Sequence, residues 1–254
     1  MREAFMLRRL KSTLDTVGTL GIIAVAGVVL WRTFGPATAS PEYRPPIETV
    51  SGLSLPAESV RHVRGNGPVA LVMFSDYECP FCARHSQETG PAIKRKLLDA
   101  GEIREVYLNF PLARHTNARK AGEAAECAAK QGRFWEMHEA LFAEPQALGA
   151  TDLTNRARRL GLDQTQFADC LHSGETAEAV ERDRAEGQRL NVNSTPVFFV
   201  GLVQAGGTID LRKRINGAVA FEDFERVVRE LRRTRRAEVR GRQLFARFAP
   251  SAAP

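Results

Sequence analysis

Two cysteines separated by two residues, Cys79-Pro80-Phe81-Cys82, are the residues of this 254-residue chain best suited to chemistry. A thiolate is a nucleophile, a metal ligand and half of a disulfide. The Cys-x-x-Cys spacing points to a redox-active dithiol when it stands at a strand end and a helix start. Those neighbours are present. The apolar run Val69 to Phe74 precedes the motif, and Ala83 to Ala100 follows it with Ile93, Leu97 and Leu98 on a helical stripe that Gly101 ends. Pro80 then falls at an early helical position, where its missing N–H costs nothing. Cys79 falls at the helix N-terminus, where unsatisfied N–H groups and the helix dipole favour negative charge. Cys79 is expected to be the exposed nucleophile, and Cys82, one turn deeper, the buried resolving thiol. A static disulfide and half of a zinc site use the same spacing. Tetrahedral zinc wants four ligands, and there is no second Cys-x-x-Cys. Neither a metal nor a cofactor is expected.

The elements that must position the dithiol follow from pattern. Ser59 to Val63 reads as a first strand and Gly65-Asn66-Gly67-Pro68 as a turn. Ile103 to Phe110 reads as a strand stopped by Pro111. Residues 116–190 are almost wholly helical, and Glu175 to Leu190 forms the last and most charged of these helices. Pro196 to Val200 and Thr208 to Ile215 read as two strands about the turn Gly206-Gly207. Phe221, Phe224, Val227, Val228 and Leu231 form the buried stripe of a final helix. The expected class is α/β: a βαβ unit and a ββα unit around a small mixed sheet, separated by a helical insertion. The folded domain is placed at residues 59–231. A proline-rich linker is placed at 37–58, and a basic, weakly structured tail at 232–254.

Charge and hydropathy bound what surrounds that domain. The formal net charge is +6, with pI about 9.4. Much of the excess lies in Arg2, Arg8, Arg9 and Lys11 and in the tail from Arg226 to Arg247. No zinc-finger spacing, RNA-binding aromatic motif or helix-turn-helix signal accompanies it, so nucleic acid is not an expected partner. Residues 16–36 are uncharged and apolar apart from Arg32, which can snorkel beside Trp31. Basic residues before them put residues 1–15 in the cytoplasm and the rest outside. The segment is either a transmembrane anchor or a signal peptide cut after Ala37-Thr38-Ala39, and both deliver the domain to the same side. Four cysteines, an even number, suit an oxidising compartment. Cys127 and Cys170 lie in two of the inserted helices. They form either a structural disulfide, which needs Cα atoms within about 7 Å, or two buried free thiols.

Several motifs together resemble a known family. Phe-Ser-Asp-Tyr-Glu-Cys-Pro-Phe-Cys, Asn109-Phe110-Pro111-Leu112, Phe134-Trp135-Glu136-Met137-His138, and Thr195-Pro196 before Val-Phe-Phe-Val are similar to the DsbA-like thiol:disulfide oxidoreductases, a thioredoxin fold with a helical insertion. The resemblance runs roughly from Pro68 to Leu231. It implies a cis-proline at Pro196 facing the dithiol, with Thr195 touching the mixed disulfide and the two together binding substrate. It implies that Pro80 and Phe81 tune the redox poise. It also implies an extracytoplasmic, monomeric enzyme that puts disulfides into reduced exported proteins. A membrane partner, a quinone-linked oxidase or a reductase, would recycle it. A reductase or isomerase, or a non-catalytic chaperone-like binder on the same fold, are the alternatives. Two departures bear on the direction of electron flow. Phe81 stands where strongly oxidising relatives carry histidine. Met73 stands where many thioredoxin-fold enzymes bury a carboxylate. Asp76 and Glu78 are either acids serving the site in place of that carboxylate or solvated loop residues, His85 either tunes the site or is an exposed helix histidine, and His115 and His138 read as cap and packing residues.

Overall fold

The computed structural model describes residues 47–248, with side-chain surroundings up to residue 241. The expected basic N-terminus at residues 1–15 and the anchor or signal segment at 16–36 lie outside the described residues. The chain order is β1 (Glu48–Leu55), β2 (His62–Gly65), β3 (Val69–Ser75), α1 (residues 80–98), β4 (Ile103–Asn109), a helical insertion, β5 (Val197–Val203), β6 (Ile209–Asn216) and α7 (Phe221–Phe248). The insertion holds α2 (Ala118–Lys130), α3 (Phe134–Ala143), α4 (Ala150–Arg159), α5 (Gln164–Ser173) and α6 (Glu175–Arg189).

The sheet has six strands in the order β1-β6-β5-β3-β4-β2. Only β3 and β4 run parallel, because α1 crosses between them. The other pairs are antiparallel. All seven residues of β3 are buried. That is why its sequence is continuously apolar rather than alternating: it is the central strand, covered on both faces. Leu71, Met73, Phe198 and Val200 face the larger core cluster with α1, α7 and the insertion. Ala70, Val72, Phe74 and Phe199 face a smaller one with Leu55, Leu190 and Val192. Fully burying one such Leu, Val or Phe side chain contributes about 1.5–3 kcal/mol.

Helix α1 contains two wider turns, His85–Thr89 and Lys94–Leu98, with π-helical geometry. Pro91 has no N–H for the carbonyl four residues before it, so the first widened turn lies where that bond is missing.

Two expected boundaries change. The stretch read as linker contributes strand β1, which pairs antiparallel with β6. Its alternation is weak because it is an edge strand with mostly exposed side chains. The stretch read as a weakly structured tail continues helix α7 without a break to Phe248. No proline or helix-ending glycine interrupts it, and arginine is a good helix former.

A buried polar network fastens the insertion to the sheet. Arg61 donates to Glu126 on α2 (3.1 Å) and to Asp183 on α6 (2.6 Å). The Asn109 backbone N–H and side-chain amide each donate to Asp183 at 3.0 Å. Gly187 lets α6 approach: a Cβ there would lie 2.5 Å from the Phe110 ring. The structure joins Cys127 on α2 to Cys170 on α5, with Cα atoms 5.8 Å apart and a sequence separation of 43. In the chain-entropy account a loop of that length contributes about 4 kcal/mol. The Cys127→Ala/Cys170→Ala double variant is therefore expected to lose about that much in urea unfolding while keeping the wild-type rate of Cys79 alkylation. An unchanged unfolding midpoint would rule out the stabilising role.

Candidate functional site

Strand β3 ends at Ser75, and the turn Asp76-Tyr77-Glu78 leads into α1. Asp76 holds this turn. Its carboxylate accepts from the backbone N–H of Glu78 and of Leu112, both at 2.8 Å, and pairs with His115 Nδ1 at 2.7 Å. Asp76 is thus buried rather than solvated, because it ties together two loops at the same end of the sheet. Glu78 is half-buried and accepts from the Asn117 N–H at 2.6 Å, which closes the start of α2 against the turn.

Cys79 is the N-cap of α1, with extended backbone (φ −77°, ψ 122°), and Pro80 occupies the first turn. The Thr195–Pro196 peptide is cis. This loop, entering β5, closes over the helix N-terminus and leaves Cys79 only 1% exposed. The expectation of an exposed nucleophile is therefore corrected: Cys79 Sγ lies under Thr195, 3.4 Å from its carbonyl oxygen. The exposed residue of the motif is Phe81, at 54%, with the Arg84 guanidinium 5.2 Å over its ring.

The two thiols are driven apart in acidity. A hydrogen bond from Cys82 lowers the Cys79 pKa from 9.0 to about 5, helped by Thr195 and by the N–H groups of Cys82 and Phe81, against the effect of burial. Burial pushes Cys82 well above its ordinary value, and the charge on Cys79 adds to this. The nucleophile is a thiolate at neutral pH and its neighbour a thiol, the pairing that dithiol exchange requires.

His85 is buried, not exposed. Its ring packs 4.5 Å from Phe198 and 5.5 Å from Phe224, because this face of α1 lies on the sheet and α7. Burial lowers its pKa to about 3. His138 is buried among Tyr77, Tyr107 and Phe142, with Nδ1 3.2 Å from the Tyr77 hydroxyl. Met73 sits at the end of β3 beside Tyr107 and Phe198.

Two features were not legible in sequence. Glu105 is a buried carboxylate on the α1 side of β4, paired to Arg64 at 2.6 Å. It shares that face with its alternate neighbours Ile103 and Tyr107, which are buried with it. Four buried polar atoms near the motif also have no hydrogen-bond partner: Ser75 Oγ, His85 Nδ1, Tyr107 OH and Thr195 Oγ1. Nothing local marks them. Among the described residues, no group of three or more His, Cys, Asp or Glu converges as a metal site would.

A dithiol of split acidity at a helix N-terminus, beside a cis-proline at the start of the neighbouring strand, is an arrangement able to carry dithiol–disulfide exchange. A family model described as thioredoxin matches residues 60–228. Solved structures agree on the fold. Wolbachia pipientis alpha-DsbA1 is 20% identical with TM-score 0.60, over 70% of this chain and 93% of that one. Oxidised BdbD from Bacillus subtilis is 23% identical with TM-score 0.59, over 72% and 97%. A thioredoxin-like oxidoreductase from Silicibacter pomeroyi DSS-3 is 28% identical with TM-score 0.56, over 68% and 92%. The chain belongs to the thioredoxin family, and its fold is that of the DsbA-like solved structures. Among curated relatives, the Na(+)/H(+) antiporter NhaA 3 of Salinispora tropica is 35% identical over 194 residues, 72% of this chain. The chain spans only 29% of that protein, and the transport activity in its name is said of the longer protein alone.

Proposed function

We propose that this chain is an extracytoplasmic thiol oxidase that inserts disulfides into exported proteins through Cys79 and Cys82. One observation carries the reading: Cys79 caps the N-terminus of α1 beside the cis Thr195–Pro196 peptide and within hydrogen-bond reach of Cys82, a setting that lowers its pKa to about 5. A thiolate stabilised only in the reduced form makes the disulfide form an oxidant. A substrate thiolate attacks Cys79 Sγ, the Cys79–Cys82 bond breaks, and Cys82 leaves with the electron pair and takes up a proton. The substrate's second thiol then displaces Cys79, which departs as the stable thiolate. Thr195 and Pro196 form the wall that an extended substrate lies against, and exposed Phe81 offers it an apolar contact. Pro80 sets the helix start, so that the N–H groups of Phe81 and Cys82 point at the thiolate. Residues 16–36 anchor or export the domain, and a membrane partner, quinone-linked in this direction, restores the disulfide. The domain acts as a monomer.

Equilibrating the Cys79–Cys82 pair against glutathione buffers tests the direction. An oxidase is expected to sit well above the cytosolic glutathione poise of about −220 to −320 mV. A value near thioredoxin's, about −270 mV, would instead assign a reductase.

A further inference from the structure

Helix α7 carries an arginine face that the fold does not use. Arg226, Arg229, Arg233, Arg236 and Arg240 are all exposed. Steps of three and four residues set them on one side of the helix. From Arg226 to Arg240 that face runs about 21 Å. Arg226 and Arg229 pair with acids of the preceding turn, Asp223 and Glu225. The later acids of the helix, Glu230 and Glu238, turn instead to Lys213 and Arg212 of β6. Arg233, Arg236 and Arg240 pair with no acid among the described residues. Like charges three and four residues apart repel and weaken a helix, so this arrangement does not stabilise α7. The sequence adds Arg242 and Arg247 at the same end, and no acid after Glu238.

The helix offers more than charge. A groove of about 490 Å³ lies between α7 and the turn before β3. Arg232, Arg235, Arg236 and Arg240 line it, together with Pro68 and Val239. Arg232 and Arg235 are engaged, with Glu102 and the Val203 carbonyl. Arg236 and Arg240 have no such partner among the described residues. Val239 is 46% exposed, one of the few large apolar side chains the described surface leaves open. Guanidinium groups bind phosphate oxygens, and the apolar side chains beside them suit the hydrocarbon next to a lipid headgroup. The groove holds no aromatic ring, the group on which bases of single-stranded nucleic acid stack. Anionic and hydrocarbon chemistry side by side is that of a phospholipid.

We propose that the arginine face of α7 is a docking surface for anionic phospholipid headgroups, holding the domain against a membrane. Each arginine near an anionic lipid surface contributes roughly a fivefold gain in affinity, so the three unpaired ones together give about a hundredfold. The start of the described chain lies beside this helix: Thr49 to Gly52 of β1 line one groove with Glu230, Leu231 and Thr234 of α7. An anchor at residues 16–36 leaves residues 37–46 before the described chain, a reach of at most about 33–36 Å. Docking through α7 fixes the orientation of a domain that a tether alone leaves free. The surface goes beyond the oxidase reading and does not depend on the dithiol; only this reach rests on the anchor.

Hydrogen exchange of the full-length protein tests the surface. Residues 226–248 are followed by mass spectrometry in nanodiscs of phosphatidylcholine, with and without phosphatidylglycerol. Exchange there is expected to slow at least about tenfold with the anionic lipid. The difference should vanish at high salt, where exposed charges are screened. Combining Arg233→Glu, Arg236→Glu and Arg240→Glu should abolish it while leaving the rate of Cys79 alkylation unchanged. The salt comparison uses the wild type, so it carries the test even if that variant fails to fold. Equal exchange in the two discs overturns the proposal, as does protection that survives high salt or the triple variant. An RNA oligonucleotide that protects α7 as well as the anionic disc does, at the same phosphate concentration, assigns the face to nucleic acid and overturns it too. Loss of the protein from neutral discs removes the anchor instead and leaves the result on α7 standing.

Discussion

Replacing Cys79 with Ala is expected to abolish oxidation of a reduced peptide, with a loss of roughly three or more orders of magnitude. Replacing Cys82 with Ala should still permit the first attack, slowed because the Cys79 pKa rises without the Cys82 hydrogen bond, and should trap glutathione on Cys79. The difference follows from the site. Cys79 alone carries the stabilised thiolate, under Thr195 and at the first turn of α1. Cys82 is the buried, high-pKa partner that completes exchange without starting it. Peptide oxidation assays and mass spectrometry of quenched mixtures distinguish the two variants. Turnover retained by Cys79→Ala would return the protein to the class of non-catalytic binders.

The second large effect is on pH. Alkylation of the reduced protein by iodoacetamide should be half-maximal near pH 5, the pKa of Cys79, and flat from about pH 6 to 8. A free thiol would instead react with a midpoint near 8.5. The same shift governs stability. The folded pKa of Cys79 is depressed from 9.0 to about 5. Its contribution to the reduced protein is thus fully present above pH 9, shrinks as pH falls through the window from 9 to 5, and is gone below it. At pH 7 the two-unit gap between pH and the folded pKa corresponds to at most about 2.7 kcal/mol, and to less once solvent screening is counted. The disulfide form has no thiolate to stabilise. The reduced form should therefore unfold later than the oxidised form at pH 7, with the difference narrowing toward pH 5. An upper limit of about 60 mV on the reduction potential follows from the same figure. Urea unfolding of both redox forms across pH checks it. A difference that does not vary with pH would remove the thiolate from the account of redox poise.

Much of this protein was legible in its residues, and the limit of that legibility is physical. The dithiol, its helix start at Pro80 and the Thr195-Pro196 dipeptide are local signals. Each depends on spacing within a turn or on the backbone limits of proline, so each could be read in place. Strand β3 announced its central position by being apolar at every residue but its last. What sequence left undecided was burial set by residues far along the chain. Cys79 lies under a loop 116 residues away. His85 lies under Phe198 and Phe224. Asp76 is held by Leu112 and His115. Asp76 is charged, and its charge pointed to solvent; Glu105 gave no local sign of burial. The sheet, with α1 and the insertion packed on it, gave them buried partners instead. Strand β1 became a strand only because β6 offered it an edge. By itself the sequence determined which chemistry this protein carries, because nucleophile and helix end are neighbours in the chain. Tertiary structure alone decided how deeply Cys79 is covered and which side chains are sealed from water, because those depend on contacts between segments that the chain order keeps apart.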